Sequence, residues 1–156
     1  MTRNEWEALR DVRLRALADA PDAFATTHAE ATARANDWWR EWAAKSADAE
    51  TQAMVLAWDG EDTVGIAGTF ATEDAWHVIS MWVDPAARGR GVGRELLDAV
   101  VAWAREQEPT RPIRLSVTDG NDGARRLYEG YGFVDTGVSE PLRSTSPLVV
   151  RELELR

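Results

Sequence analysis

Apolar residues in the first third of the chain recur at the spacing of an α-helix. The first helix should span about residues 3–19, where apolar side chains stand at intervals of three and four. They are Trp6, Leu9, Val12 and Ala16. A second helix should begin after the capping box Thr27-x-x-Glu30 and run to about Lys45. Its apolar face would carry Ala31, Ala35, Trp38 and Trp42. Two helices therefore precede the first predicted strand.

From residue 54 onward, short apolar runs bounded by turn residues predict six strands. They are Met54–Trp58, Thr63–Phe70, Trp76–Val83, Ile113–Val117, Phe133–Ser139 and Leu148–Leu155. The turn 59–62 predicts an antiparallel hairpin. Helical spacing predicts two further helices, about 94–106 and 124–131. Because the first of these connects the third and fourth strands, that pair should be parallel, and we expect the sheet to splay there. The pattern indicates an α/β fold with about six strands and about four helices.

Composition narrows the class of protein. The 156 residues, 44% of them apolar, fit one domain covering 1–156. No apolar run approaches the roughly 20 residues of a membrane span, and no signal peptide opens the chain, so we expect a cytoplasmic protein. The net charge of −9 argues against nucleic acid or an anionic membrane as a partner. Without cysteine, disulfides, thiolate metal sites and an acyl-cysteine intermediate are excluded, and no other metal-ligand spacing is present.

A glycine-rich loop lies between the third predicted strand and the helix that follows it. Gly89, Gly91 and Gly93 let backbone N–H groups converge at the helix start, where the helix dipole favours an anion. A P-loop needs Gly-Lys-Ser/Thr and a dinucleotide loop needs G-x-G-x-x-G, and the chain has neither. The loop therefore predicts a phosphate site of another class, the alternative being a turn without a ligand.

Two motifs resemble those of the Gcn5-related N-acetyltransferase (GNAT) superfamily. The first is R-x-x-G-x-G from Arg88, and the second is N-x-x-A-x-x-L-Y-E-x-x-G-F from Asn121. The resemblance begins at about Leu9 and continues to the end of the chain. It implies a mixed, mostly antiparallel sheet with a splayed parallel pair, and acetyl-CoA as the acyl donor. Family members usually place a strand before the first helix, whereas this chain has almost nothing before Thr2.

The resemblance also implies roles for individual residues in binding acetyl-CoA. Loop amides and the helix N-terminus would hold the pyrophosphate, while the third strand would pair through its backbone with the pantetheine arm and polarise the thioester carbonyl. The implied cofactor-binding residues are Met81, Trp82, Val83, Arg88, Gly89, Arg90, Gly91, Val92, Gly93, Arg94, Asn121, Arg125 and Tyr128. Asn121 is also a preferred N-cap for the last helix, and both roles can coexist.

Tyr128 matches the family tyrosine that protonates the leaving thiolate. A phenol has an ordinary pKa of about 10, so it is protonated at neutral pH and can donate to a thiolate of similar basicity. The residue also shares a helical stripe with Ala124 and Leu127, which is typical of a core aromatic. From the spacing alone the core interpretation is the stronger one, and the family match favours catalysis.

Three carboxyl or imidazole groups are candidates for the general base that deprotonates the acceptor. His77 occupies the position at which histone-modifying relatives carry a catalytic glutamate, and histidine titrates near neutral pH. Glu73 and Asp74 are alternatives, acting directly or through water. A histidine at a strand start can equally be partly exposed and without a role. Tryptophans at 38, 39 and 42 are expected to be packing anchors, the alternative being an aromatic wall of the acceptor site.

The expected function is an acetyl-CoA-dependent N-acetyltransferase in which a primary amine attacks the thioester directly in a ternary complex. The acceptor would be a small-molecule or peptide amine, and its identity stays open. A homodimer is one expected assembly, because dimers are common in the resembled family. The alternative from another class is a non-catalytic acyl-CoA-binding module used for sensing or interaction.

Overall fold

The computed structural model describes residues 1–156 as five α-helices around a six-stranded sheet. The helices are α1 (Trp6–Asp19), α2 (His28–Thr32), α3 (Asn36–Asp48), α4 (Val92–Gln107) and α5 (Asp122–Tyr131). The strands are β1 (Gln52–Asp59), β2 (Asp62–Ala71), β3 (Trp76–Val83), β4 (Ile113–Thr118), β5 (Phe133–Pro141) and β6 (Val149–Leu155). All six predicted strands are confirmed, and α1 precedes all of them.

The sheet is antiparallel except at its centre. Its strand order is β1-β2-β3-β4-β6-β5, and β3 with β4 is the parallel pair, reached through α4 as the chain order requires. These two strands pair only at Trp76 with Ile113 and at His77 with Arg114, after which they diverge. The predicted splay is therefore confirmed, and it opens a gap in the middle of the sheet.

The predicted second helix is wrong in one respect, because it is two helices. The chain leaves α2 after Thr32 and is extended at Ala35, with ψ near 158°, before α3 begins. The Thr32 hydroxyl donates to the carbonyl of His28, and Asp37 lies in the first turn of α3, where a negative charge suits a new N-terminus. The break changes the helical phase. Trp39 is fully buried, whereas Trp38, which the predicted apolar face carried, is exposed.

Helices cover both faces of the sheet. On one face, α4 and α5 pack their apolar side chains against the strands; the buried set includes Leu97, Val100, Ile113, Phe133 and Leu153. On the other face, α1 and α3 enclose a second core; it includes Leu9, Val12, Leu17, Trp39 and Ile66. The structure contains no helix whose length and apolar content would let it span a bilayer.

Candidate active site

The bulge in β3 shapes the centre of the site. Ala67 of β2 lies opposite both Ser80 and Met81, so β3 carries one extra residue there. Ser80 is the one residue other than glycine with positive φ, at 59°, a conformation that costs roughly 1–3 kcal/mol and persists only where the surroundings hold it. Beyond His77 no ladder partner from β4 occupies the facing backbone of β3. The N–H and C=O groups there can pair with an extended ligand.

The glycine loop ends at an open helix N-terminus. Gly89 and Gly91 have φ of +79° and +83°, in the left-handed region that favours glycine. Gly91 is the N-cap of α4, and no side chain caps the helix there. The N–H groups of the first turn are thus available to an anion, as the sequence predicts. Gly93 is needed for another reason, because a Cβ there would lie 2.9 Å from the Leu127 side chain of α5.

A cavity of about 570 Å³ joins the glycine loop to the free edge of β3. We call it the loop cavity. Its predicted cofactor-binding residues are Met81, Trp82, Val83, Arg88, Gly89, Gly91, Val92, Gly93, Arg94, Asn121 and Tyr128. It therefore combines an anion-binding helix start with an unpaired strand edge and an aromatic hydroxyl.

Tyr128 lies at the inner end of the loop cavity. It is 6% exposed, packs edge-on against Phe133 with ring centroids 6.2 Å apart, and belongs to the core of α4 and α5. Burial raises the pKa of its hydroxyl well above the ordinary value, because desolvation penalises the phenolate. The group therefore stays protonated across the physiological range. Tyr128 is therefore a core aromatic residue that also lines the cavity, and its catalytic role stays a prediction.

A second cavity of about 590 Å³ lies between the diverging strands β3 and β4. We call it the splay cavity. Its walls include aromatic side chains from four segments of the chain, namely Phe24, Trp38, Trp42, Phe70 and Tyr128. The two cavities meet at shared lining residues, which are Ala23, Met81, Asn121, Ala124 and Tyr128. A ligand along the loop cavity and a ligand in the splay cavity would come together at Tyr128 and Met81.

Comparison with known proteins identifies the family. A model described as Acetyltransferase (GNAT) family matches residues 9–133, which is most of the chain. The chain belongs to the GNAT family of acetyltransferases. Membership confirms the family and fold predicted from the sequence, and makes acetyl-CoA the expected acyl donor.

Relatives within the GNAT family match over different lengths. The chain is 32% identical to a mycothiol acetyltransferase of Brachybacterium faecium over 145 residues, covering 89% of this chain and 40% of that protein. It is 29% identical to an L-2,4-diaminobutyric acid acetyltransferase of Streptomyces avermitilis over 97 residues, or 60% of this chain and 50% of the relative. The chain thus spans half or less of the length of these curated relatives.

A solved structure shares the whole GNAT fold. YncA of Salmonella typhimurium, solved with its cofactor acetyl-CoA, superposes with a TM-score of 0.79 at 17% identity, over 100% of this chain and 90% of that one. At this identity the likeness shows the fold. It extends through every element that lines the two cavities.

The four arginines predicted to bind the cofactor divide into two groups. Arg88 and Arg94 line the loop cavity. Arg90 does not: its side chain reaches toward Asp59 at 3.7 Å, because residue 90 projects from the opposite side of the turn. Arg125 also lies outside, on the far face of α5, where it pairs with Glu129 and Asp135. The structure therefore does not bring these two side chains to the loop cavity.

Asp19, at the end of α1, is a lining residue of the loop cavity that the sequence did not reveal. Its carboxylate accepts hydrogen bonds from Trp82 Nε1 at 2.9 Å and Arg88 Nη2 at 2.8 Å. The Trp82 bond, with Arg88, lowers the Asp19 pKa. Arg88 also donates from Nε to the carbonyl of Val83 at 2.9 Å. The cluster fastens the start of the GNAT loop to the end of β3.

The Asp19 cluster predicts a pH-dependent loss of stability in Asp19→Asn. A depressed carboxyl pKa stabilises the fold above the ordinary value of 3.8, and that stabilisation is lost as pH falls through the folded-state pKa. After discounting for solvent screening, we expect the free energy of unfolding to fall by about 1 kcal/mol at pH 7. Urea titrations at pH 7 and near pH 3 measure this, and the difference should be smaller at the lower pH. Glu61→Gln is the control, since Glu61 is exposed in the turn between β1 and β2 and makes no ion pair; an equal loss in both variants would contradict the role of the cluster.

The base candidates also separate in space. His77 lines the splay cavity, stacks on Phe70 with centroids 5.2 Å apart, and places Nε2 3.0 Å from the Thr72 hydroxyl. Glu73 and Asp74 are exposed in the preceding turn and line neither cavity, and Asp74 pairs with Arg114. The structure therefore brings His77 to the site and leaves Glu73 outside it.

Asn121 and the tryptophans combine the predicted roles. The Asn121 side chain accepts from the N–H of Ala124 at 3.4 Å, which makes it the N-cap of α5, and it also lines both cavities. Trp39 is a packing anchor, whereas Trp38 and Trp42 line the splay cavity. The preference for packing thus holds for Trp39, and the aromatic-wall alternative describes the geometry of the other two.

Proposed function

We propose that this protein transfers the acetyl group of acetyl-CoA to a primary amine by direct attack in a ternary complex. The observation that carries the proposal is the meeting of two cavities at Tyr128 and Met81. One cavity suits a long anionic donor, and the other reaches the same point from the gap between β3 and β4. Holding two reactants in this way supplies much of the rate of a transfer reaction. The absence of cysteine excludes an acyl-cysteine intermediate.

The residues of the loop cavity fit acetyl-CoA. The uncapped first turn of α4 and the loop amides suit the pyrophosphate, with Arg94 and Arg88 at the rim. The free edge of β3 beyond His77 suits the amides of the pantetheine arm. Acetyl-CoA supplies an activated thioester carbonyl. The YncA structure, solved with acetyl-CoA on the same fold, supports this assignment.

Tyr128 would hold the proton that the leaving thiolate takes. The hydroxyl is protonated at neutral pH, and its position at the junction of the cavities places it beside the reacting groups. Backbone N–H groups of the bulged segment of β3 would stabilise charge that develops on the thioester oxygen. The strain at Ser80 is consistent with a backbone held for this purpose.

His77 would take the proton from the amine. The Thr72 hydroxyl has one proton, and the Asp74 carboxylate accepts it at 2.8 Å. Nε2 of His77 is then the donor to Thr72, which leaves the lone pair on Nδ1. In that tautomer the imidazole can act as a base without first losing a proton.

The assignment predicts a large kinetic effect of His77→Gln. Glutamine keeps a hydrogen-bonding group near Thr72 but cannot take a proton, so kcat/KM at neutral pH should fall by about 10²-fold or more. Steady-state rates of CoA release measure this. His28→Gln is the matched control, because His28 is exposed on α2 and lines neither cavity. A rate within about threefold of that of the unchanged protein would exclude His77 as the base and assign the proton transfer to a water molecule.

The acceptor class is a proposal that rests on the relatives as well as on geometry. The printed names of two relatives, a mycothiol acetyltransferase and an L-2,4-diaminobutyric acid acetyltransferase, specify different products or acceptors. An acidic protein of net charge −9 suits a cationic amine approaching from solution. We therefore assign the protein to amine acetylation in the cytoplasm.

A thiol-release assay tests the proposal against its rival. The protein is incubated with acetyl-CoA and a panel of primary amines, free CoA is measured, and the mass of each acetylated product is confirmed. We expect at least one amine to give CoA and N-acetyl product in equal amounts. Acetyl-CoA binding without release above background across the panel would favour the non-catalytic acyl-CoA-binding module.

A further inference from the structure

Arg13 is a buried cation that forms no hydrogen bond and no ion pair. It lies on the apolar face of α1, between Leu9 and Ala16, and is only 8% exposed. Its Nε and Nη1 atoms are sealed from solvent and make no hydrogen bond. The guanidinium lies over the Phe24 ring, 4.7 Å from the centroid, and lines the splay cavity. A buried guanidinium that donates to nothing is costly, so it calls for an acceptor that enters from the cavity.

Arg15, on the same helix, shows what a structural arginine looks like in this fold. Its guanidinium pairs with Asp11 and Asp84 and donates to both the carbonyl and the hydroxyl of Thr63. Each of the three nitrogen atoms of that group donates to a protein acceptor. Arg13, two residues earlier and on another face of the helix, has none of these acceptors although it is the more buried residue. The protein itself therefore supplies no hydrogen-bond acceptor to Arg13.

A second cation reinforces the first. Arg34 lines the same cavity, stacks over the Trp38 ring at 3.9 Å, and takes part in no ion pair. Burial, together with the charge of Arg34, lowers the pKa of Arg13 to about 10. The guanidinium is still charged at neutral pH. The acid among the lining residues is Glu140, which is exposed and makes no ion pair with either arginine.

We infer that the acceptor carries a carboxylate, which Arg13 binds with Arg34 beside it in the splay cavity while the amine points toward Tyr128 and Met81. This inference rests on the proposed acetyl transfer and names its substrate class: amino acids and related amino carboxylates. The guanidinium can hold a carboxylate oxygen through a charge-assisted hydrogen bond. A single compact negative charge suits a cavity whose walls are mostly aromatic and aliphatic, and Glu140 suits a cationic group on the same molecule.

Matched acceptors test the carboxylate directly. The triads are L-leucine, L-leucinamide and 3-methylbutylamine, and L-lysine, L-lysinamide and cadaverine. Within each triad the side chain is kept and the carboxylate is neutralised or removed. We expect kcat/KM to be at least about tenfold higher for the carboxylate member, the effect of one charge-assisted hydrogen bond. Equal rates within a triad, or faster acetylation of aminoethyl phosphate than of any amino acid, would overturn the inference.

Arg13→Met assigns the effect to this residue. The variant keeps the volume of the stem and removes the charge, and kcat/KM for carboxylate acceptors should fall by about 10- to 100-fold. The neutral acceptors and the KM for acetyl-CoA should be unchanged. Arg10→Met is the matched control, one helical turn earlier and outside both cavities. An equal loss for all acceptors would contradict a carboxylate role; if Arg13→Met does not fold, Arg34→Gln should reduce the same preference, and an unchanged preference would contradict it.

A binding measurement separates this inference from the proposed function. Calorimetric titration of L-leucine and L-lysine into the protein with CoA requires no turnover. We expect at least one of them to bind and Arg13→Met to abolish that binding. If amines are acetylated but neither amino acid binds, the carboxylate inference fails and the proposed function stands. If an amino acid binds through Arg13 and no amine is acetylated, the proposed transfer fails and the carboxylate site remains.

Discussion

Replacing Tyr128 with phenylalanine should lower kcat by about 10²- to 10⁴-fold while the Kd for acetyl-CoA changes little. The substitution removes one oxygen from a side chain that is 6% exposed and packed on Phe133. The ring and its packing remain, so the fold should be kept. What is lost is the proton held at the junction of the two cavities. Single-turnover rates with saturating amine, together with calorimetric binding of acetyl-CoA, measure the two quantities separately.

Tyr131→Phe is the matched control for that experiment. Tyr131 lies three residues further along α5, donates its hydroxyl to Asp98 at 2.9 Å, and has a pKa raised to about 12, chiefly by burial. It lines neither cavity. The control should retain its kcat within about threefold. Retained turnover in Tyr128→Phe, or an equal loss in both variants, would contradict the assignment of Tyr128 as the proton donor.

Gly91→Val should raise the Kd for acetyl-CoA by about tenfold or more. Gly91 caps α4 with φ of +83°, and a β-branched residue there costs on the order of 1–2 kcal/mol and turns the first amides of the helix away from a bound anion. A Cβ at this position meets no atom within 4 Å, so the effect comes from the backbone and not from a clash. Titration of acetyl-CoA measures the binding, and thermal melting measures the strain.

Gly60→Val introduces the same backbone strain at a glycine that does not line the loop cavity. Gly60 lies in the turn between β1 and β2 with φ of +64°, and its Cβ would also meet nothing within 4 Å. The two variants should lose similar stability, and only Gly91→Val should lose affinity for acetyl-CoA. Equal affinities in the two variants would mean that the glycine loop does not hold the cofactor.

The strands and α4 were predictable because each depends on a local pattern. β3 has the predicted bounds, 76–83, since its apolar run is closed on both sides by turn residues. The break between α2 and α3 was not predictable from periodicity. The residues from Thr32 to Ala35 include no proline or glycine, and the two helices join two apolar faces that look continuous in the sequence.

The parts of the candidate site that are formed by the backbone were predictable from the sequence. The parts that are formed by side chains were less predictable. Gly91 and Met81 lie in the loop cavity because loop and strand fix their positions. Arg90 and Arg125 point elsewhere, since a motif gives spacing without the direction of a long side chain. The sequence does distinguish Arg13, because it is the one charged residue on the apolar stripe from Leu9 to Ala16. Asp19 had none, as its partners are distant in the chain.

Burial without a partner also predicts that Arg13→Met raises stability. Lowering the pKa of Arg13 to about 10 corresponds to an unfavourable free energy on the order of 3 kcal/mol at neutral pH, present below the folded pKa and relieved as pH rises above it. Removing the charge should therefore increase the melting temperature while impairing use of carboxylate acceptors. A lower melting temperature would indicate that Arg13 serves the fold.

The central claim is that the acetyl group passes directly from acetyl-CoA to an amine where the two cavities meet. The most direct measurement uses acetyl-CoA with an isotopically labelled acetyl group and follows the label by mass spectrometry on protein, CoA and acceptor. We predict one labelled N-acetyl product for each CoA released, and no label on the protein at any time. Label on a protein side chain, or bound acetyl-CoA that never transfers its acetyl group to any amine, would contradict the account.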